Sequence, residues 1–127
     1  MVVLDTSIVI DHLRRPGVNT SLYKVVDIEG SDYLAVSVIT IQELYEGEST
    51  KKEERLNEML TVLSPLTILE YDVQVAELAG KIARDVKRKM EFADAAIAST
   101  AIFNDFDLFT LNTKHFRDID GLNLYQL

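Results

Sequence analysis

Apolar residues recur along the chain in short blocks that switch between strand and helix periodicity. Val2–Leu4 is a continuous apolar run of strand length, stopped by Asp5-Thr6-Ser7. Ile8, Ile10 and Leu13 continue at helical spacing to Pro16-Gly17, which predicts a strand, a tight turn and a helix of about two turns. Leu22, Val25 and Val26 predict a second helix, with Asn19 or Ser21 as N-cap and Gly30 as terminator. Tyr33–Val38, rich in β-branched and aromatic residues, reads as the second strand. A helix from about Thr40 to Glu46 follows, closed by Gly47. Thr50 is placed to cap the next helix, whose stripe is Leu56, Met59, Leu60 and Leu63, and Pro65 ends it. Leu66–Leu69 is the third strand. Asp72 caps a long helix on which Val75, Ala79, Ile82 and Val86 share a face, and another opens near Asp94 and runs to about Asn104. Leu108–Leu111 and Leu122–Tyr125 are the fourth and fifth strands.

Strands alternating with helices predict an α/β domain with a mainly parallel sheet of about five strands, covered by helices on both faces. With 127 residues, no internal repeat and no linker-like tract, one domain over residues 1–127 is expected. At 47% hydrophobic and 27% charged the chain is neither disordered nor fibrous. It has no cysteine, so disulfides and cysteine-bound zinc are excluded. No window approaches the roughly 18 apolar residues of a membrane helix, and Met1-Val2-Val3-Leu4-Asp5 has no basic n-region; a cytoplasmic protein with no membrane partner is expected. With 21 Asp+Glu against 13 Lys+Arg the formal charge is −8, which disfavours broad, sequence-blind nucleic-acid binding.

The distribution of the acids matters more than their number. In an open parallel sheet, ligands bind outside the carboxyl ends of the strands. Asp5 directly follows strand one, Glu43 lies in the first turn after strand two, Asp94 opens a helix and Asn112 follows strand four. Carboxylates brought together repel one another, and a hard divalent cation removes that penalty. Oxygen-only ligands favour Mg²⁺ or Mn²⁺ over zinc. Such a site can activate water against a phosphodiester. Each residue also has a plain structural reading. Thr40-x-x-Glu43 is a capping box, Asp94 could be an N-cap or first-turn acid, and Asn112 is ordinary turn chemistry. Asp5 is hardest to explain this way, because Thr6 or Ser7 could cap the following helix.

The wording around these residues carries a resemblance. Val3-Leu4-Asp5-Thr6-Ser7, the stretch Ser37–Gly47 around Gln42-Glu43-Leu44, Asp94-Ala95-Ala96-Ile97-Ala98-Ser99, and Leu111-Asn112-Thr113-Lys114-His115-Phe116 occur in that order. Together they resemble PIN-domain ribonucleases, most closely the VapC toxins of toxin–antitoxin pairs. The resemblance implies a three-layer α/β/α domain in which Asp5, Asp94 and Glu43 hold Mg²⁺ or Mn²⁺ and Asn112 completes the catalytic set. Thr6 and Thr110 match supporting hydroxyl positions. It further implies an endoribonuclease that hydrolyses RNA to 5′-phosphate and 3′-hydroxyl ends, forms a homodimer and is silenced by a VapB-like antitoxin. The stretch Lys89–Ala93 lacks a glycine that relatives often carry. A helix from Asp72 through Val86 would also descend roughly 25 Å, leaving four or five residues to regain the carboxyl edge.

Other constellations compete. A catalytically silent PIN-like scaffold would keep the acids only as caps. A receiver-like phospho-acceptor domain needs an acidic pair after its first strand, where Asp5-Thr6 supplies one acid. His12 and His115 could act as an acid–base pair on the 2′-hydroxyl, although surface and structural roles are the simpler expectation. Lys81, Arg84 and Arg88 read as a solvated helix face or an RNA contact. Arg14, Arg15, Lys51, Lys52 and Lys114 are basic candidates nearer the carboxyl edge. Asp11, Glu46, Asp72 and Asp105 are other acids near helix ends, not expected among direct metal ligands.

Overall fold

A computed structural model describes residues 1–15 and 19–127; the helix stop expected at Pro16-Gly17 lies outside the described residues. Strand β1 (Val2–Leu4) lies inside the sheet, with β2 (Leu34–Ser37) and β4 (Asp107–Phe109) as parallel neighbours. Strand β3 (Thr67–Leu69) pairs with β2, giving the order β3-β2-β1-β4. Parallel neighbours need crossovers, and helices supply them. Helices α1 (Thr6–Arg14) and α2 (Ser21–Glu29) join β1 to β2, and α3 (Val38–Tyr45) and α4 (Glu53–Leu63) join β2 to β3. Helices α5 (Val73–Asp85) and α6 (Phe92–Phe103) lead to β4, and the short α7 (Thr113–Phe116) follows it.

Side chains alternate across a strand, so β1 feeds two cores. Val2 and Leu4 pack with Leu34, Val36 and Phe109 beneath Ile8, Leu22 and Met59. Val3 and Leu108 pack on the opposite face with Ile82, Ile97, Ala101 and Phe116. The result is three layers, α/β/α. Burial on both faces is why these strands read as unbroken apolar runs.

The sheet has four strands among the described residues, not about five. Leu122–Tyr125 meets it through one parallel bridge, Leu124 to Leu108. Asp118 and Gly121, both in the left-handed region at φ 61° and 83°, kink the chain just before it, and only Leu124 comes into register. Several boundaries also move. Thr20, between the two expected caps, accepts the Tyr23 N–H and starts α2. Helix α3 begins at Val38, with Ser37 accepting the Ile39 N–H at 3.0 Å, so Thr40 lies inside the helix. Thr50 caps no helix; its hydroxyl donates to the carbonyls of Tyr45 and Gly47, and Lys52 stands at the N-cap of α4.

The largest shift is at α5, which stops at Asp85, so that Val86 to Glu91 connect it to α6. That connection spans up to about 20 Å, as long as the 13-residue helix itself. The expected difficulty in regaining the carboxyl edge therefore disappears. Arg88 lies in this connection rather than on a solvated helix face. Its Nη2 donates to the carbonyls of His115 (3.0 Å) and Arg117 (2.8 Å), tying the connection to the end of α7.

The α4 stripe is narrower than its sequence pattern: Met59 is 1% exposed, whereas Leu60 is 43% exposed. Met59→Ala is expected to lower unfolding free energy by about 2–5 kcal/mol and Leu60→Ala by less than about 1 kcal/mol, measured by urea denaturation.

Candidate active site

Asp5 occupies the first position after β1. Its N–H donates to the Phe109 carbonyl at 2.9 Å, which extends the β1–β4 pairing by one step. Although Asp5 stands at the N-cap of α1, its side chain makes no capping bond. Instead Oδ2 accepts the hydroxyls of Ser7 and Thr110, each at 2.7 Å. Both hydroxyls are themselves fixed: Ser7 Oγ accepts the Leu111 N–H at 3.2 Å, and Thr110 Oγ1 accepts the Asn112 N–H at 2.9 Å. Asp5 is only 4% exposed, and among the described residues no donor reaches its Oδ1.

Glu43 sits on α3, and its Oε1 accepts the Thr6 hydroxyl at 2.6 Å. Thr6 Oγ1 also lies 2.9 Å from the buried Thr40 Oγ1. The capping-box alternative is thereby removed, because Thr40 is inside the helix and its hydroxyl faces Thr6. Asp94 lies in the first turn of α6, whose N-cap is Glu91 rather than Asp94. The helix dipole favours an acid there. Its Oδ2 is 3.2 Å from His115 Nδ1.

Asp5, Thr6, Glu43, Asp94, Asn112 and His115 line one cleft of about 700 Å³. Asn112 is exposed at the N-cap position of α7, and its side chain makes no capping bond. Thr110 is buried behind the cleft against Asp5. Burial raises the Glu43 carboxyl above its ordinary range, and the charges of Asp5, Asp94 and Glu46 push it the same way against the Thr6 hydrogen bond. Burial likewise raises Asp94, joined by repulsion from Asp5 and Glu91 and opposed by His115. The acids feel one another across the cleft. As they stand they do not close on a point: among the described residues, no three Asp, Glu or His side chains converge closely enough to hold one ion. Glu43 is engaged by Thr6 and Asp94 by His115. The donor set still suits a hard divalent cation, since it is all oxygen and includes a buried carboxylate with one uncommitted oxygen.

A PIN domain profile matches residues 2–122. The chain belongs to the PIN-domain family. It is VapC-like throughout: ribonuclease VapC1 of Methanocaldococcus jannaschii is 28% identical over 98% of this chain and 86% of its own. Ribonuclease VapC19 of Mycobacterium tuberculosis is 30% identical over 91% of this chain and 92% of its own. Among solved structures, VapBC2 from Rickettsia felis bound to a promoter DNA fragment superposes with a TM-score of 0.84 at 27% identity, covering 98% of both chains.

Two features of the cleft lie beyond the expected PIN-domain set. Ser7 read as a helix cap but serves Asp5. His115, expected to be structural, pairs with Asp94. The remaining histidine lines other clefts, with Nδ1 2.6 Å from the Thr20 hydroxyl, so the two histidines are not a pair. Asp11 and Glu46 line the acidic cleft too, Asp11 being bound by Arg15 at 2.7 Å.

Because Glu43 and Asp94 are raised in the folded chain, that state retains protons the unfolded chain has released. Without divalent cations, stability therefore falls as pH rises from the ordinary carboxylate range through the raised values. Glu43→Gln, which keeps an acceptor for Thr6, is expected to flatten that slope in urea melts with chelator from pH 4 to 7 (about the carboxylate-to-neutral interval).

Proposed function

We propose that this chain is a metal-dependent endoribonuclease and the toxin of a VapBC-type toxin–antitoxin pair. The observation that carries the reading is the buried Asp5 carboxylate, fixed through one oxygen and facing the cleft of Glu43 and Asp94. Mg²⁺ or Mn²⁺ bound there supplies activation of water and neutralises charge developing on the phosphodiester. Asp5 and Asp94 would hold the ion, with Glu43 joining from α3 directly or through water and Asn112 completing the set from the turn after β4. Ser7 and Thr110 orient Asp5, while Thr6 orients Glu43. His115 holds Asp94 toward the cleft. The 2′-hydroxyl is not needed as nucleophile in this arrangement, and the products carry 5′-phosphate and 3′-hydroxyl ends.

The named similarity to VapC ribonucleases supports RNA as substrate, and the VapBC assemblies among the solved relatives support a VapB-like antitoxin. A homodimer is supported by exposed apolar side chains around the open edge strand β3: Val38, Ile68, Val73 and Phe92. No helix among the described residues is long and apolar enough to cross a membrane. The absence of cysteine fits a reducing cytoplasm.

Asp5→Asn keeps an acceptor for Ser7 and Thr110, so the chain should fold while RNA cleavage falls by at least about a hundredfold. Wild-type cleavage should stop on chelation and return with Mg²⁺ or Mn²⁺. Equal cleavage by the wild type and Asp5→Asn would overturn the assignment. Independently of activity, Mn²⁺ should raise the melting temperature of the wild type, corresponding to about 2.7 kcal/mol at a hundred times its Kd, and should have no such effect on Asp5→Asn.

A further inference from the structure

The acidic cleft abuts a second one. This neighbour, of about 540 Å³, shares Ile10, Arg14 and Glu43 with it and runs on to Lys52 and Arg55 at the start of α4. Two other clefts, one along α4 beside His12 and one between α2 and the end of α4, have no Lys or Arg among their described lining residues. The cleft that continues the acidic site thus carries Arg14, Lys52 and Arg55 beside Glu43, Glu48 and Glu58, and among the described residues is the one of these neighbours that offers cations.

The cations there are available. Arg15 is held by two hydrogen bonds to Asp11, but among the described residues Arg14 and Lys52 make no ion pair. Arg55 meets Glu58 at 3.3 Å on the exposed surface, a pair that solvent screens and a phosphate can displace. The acidic cleft, by contrast, has Asp5, Asp11, Glu43, Glu46, Glu91 and Asp94 in its lining and Arg14 as its one Lys or Arg among the described residues. A strand brings a negative charge with every nucleotide. A cation at the acids offsets the phosphate under attack but leaves its neighbours facing a chain of net charge −8. Those neighbours need protein cations, and the adjoining cleft holds them.

We propose that an RNA strand lies across both clefts, with the scissile phosphate at the acids and flanking phosphates on Arg14, Lys52 and Arg55. This strand path rests on the nuclease reading above.

Binding is measured in the Asp5→Asn chain, so that the RNA stays intact, with a labelled single-stranded RNA over a salt series at constant Mg²⁺. Adding Lys52→Gln and Arg55→Gln should reduce the slope of log Kd against log salt by about 1.4, and Lys52→Gln alone by about 0.7. Lys81→Gln with Lys87→Gln removes the same charge from residues that line none of these clefts, and should leave the slope of the parent. An unchanged slope in the first pair, or an equal drop in the second, overturns the strand path. Cleavage by the wild type against Asp5→Asn is scored separately. Cleavage lost in Asp5→Asn together with an unchanged binding slope removes the path and leaves the nuclease. A reduced slope with no cleavage by the wild type removes the nuclease and leaves a strand-binding groove.

Discussion

A carboxylate buried at the end of an inner strand is the constraint around which this molecule is arranged. Removing such a charge from water costs several kcal/mol unless hydrogen bonds replace the lost solvation. Asp5 receives that replacement from Ser7 on its own helix and from Thr110, which directly follows β4. Those two hydroxyls are in turn fixed by the amides of Leu111 and Asn112. Thr6, between Asp5 and Ser7, faces the other way and joins Glu43 and Thr40 on α3. Three consecutive residues therefore tie β1 to the segment after β4 and to the helix after β2. The carboxyl edge of the sheet is organised by polar contacts, whereas the sheet behind it is organised by packing.

The same arrangement explains why the cleft is electrostatically unsettled. One oxygen of Asp5 is fully engaged, while burial raises Glu43 and Asp94 and the charge of Asp5 pushes both the same way. Hydroxyls hold Asp5 and Glu43 without bringing an opposite charge, while His115 opposes the rise of Asp94 without removing it. Acids raised together in one cleft are the kind of local strain that functional sites carry. The second polar device is Arg88, whose two bonds to the carbonyls of His115 and Arg117 fix the far end of α7. It thereby restrains the element that carries His115 beside Asp94 and Asn112 at the cleft.

Most of the layer architecture was legible because both faces of each inner strand are buried, which leaves unbroken apolar runs such as Val2–Leu4. Asp5 was legible as an interruption that helix capping did not require. Other features depend on contacts that local sequence does not encode. Ser37 and Thr40 are both good caps, and the choice between them is made by the position of Thr40 under Thr6, on a different helix. Ser7 looks like a possible helix cap, and Thr110 is marked only by the resemblance, until β4 brings its hydroxyl beside Asp5. The end of α5 was misplaced because Val86 continues the apolar face, although it packs from outside the helix. The fifth strand failed for a related reason: Leu122–Tyr125 has strand composition, but the kinks at Asp118 and Gly121 allow only one residue to pair.

The bond between Thr110 and Asp5 joins residues 105 positions apart in a chain of 127. Asp5 is therefore made 105 residues ahead of the hydroxyl that seats it. Until β4 has inserted beside β1, the carboxylate lacks its second hydroxyl donor and β1 lacks one of its two neighbours. The wide sequence separation makes seating of the carboxylate depend on the long-range docking of β4 beside β1, and not on any local segment.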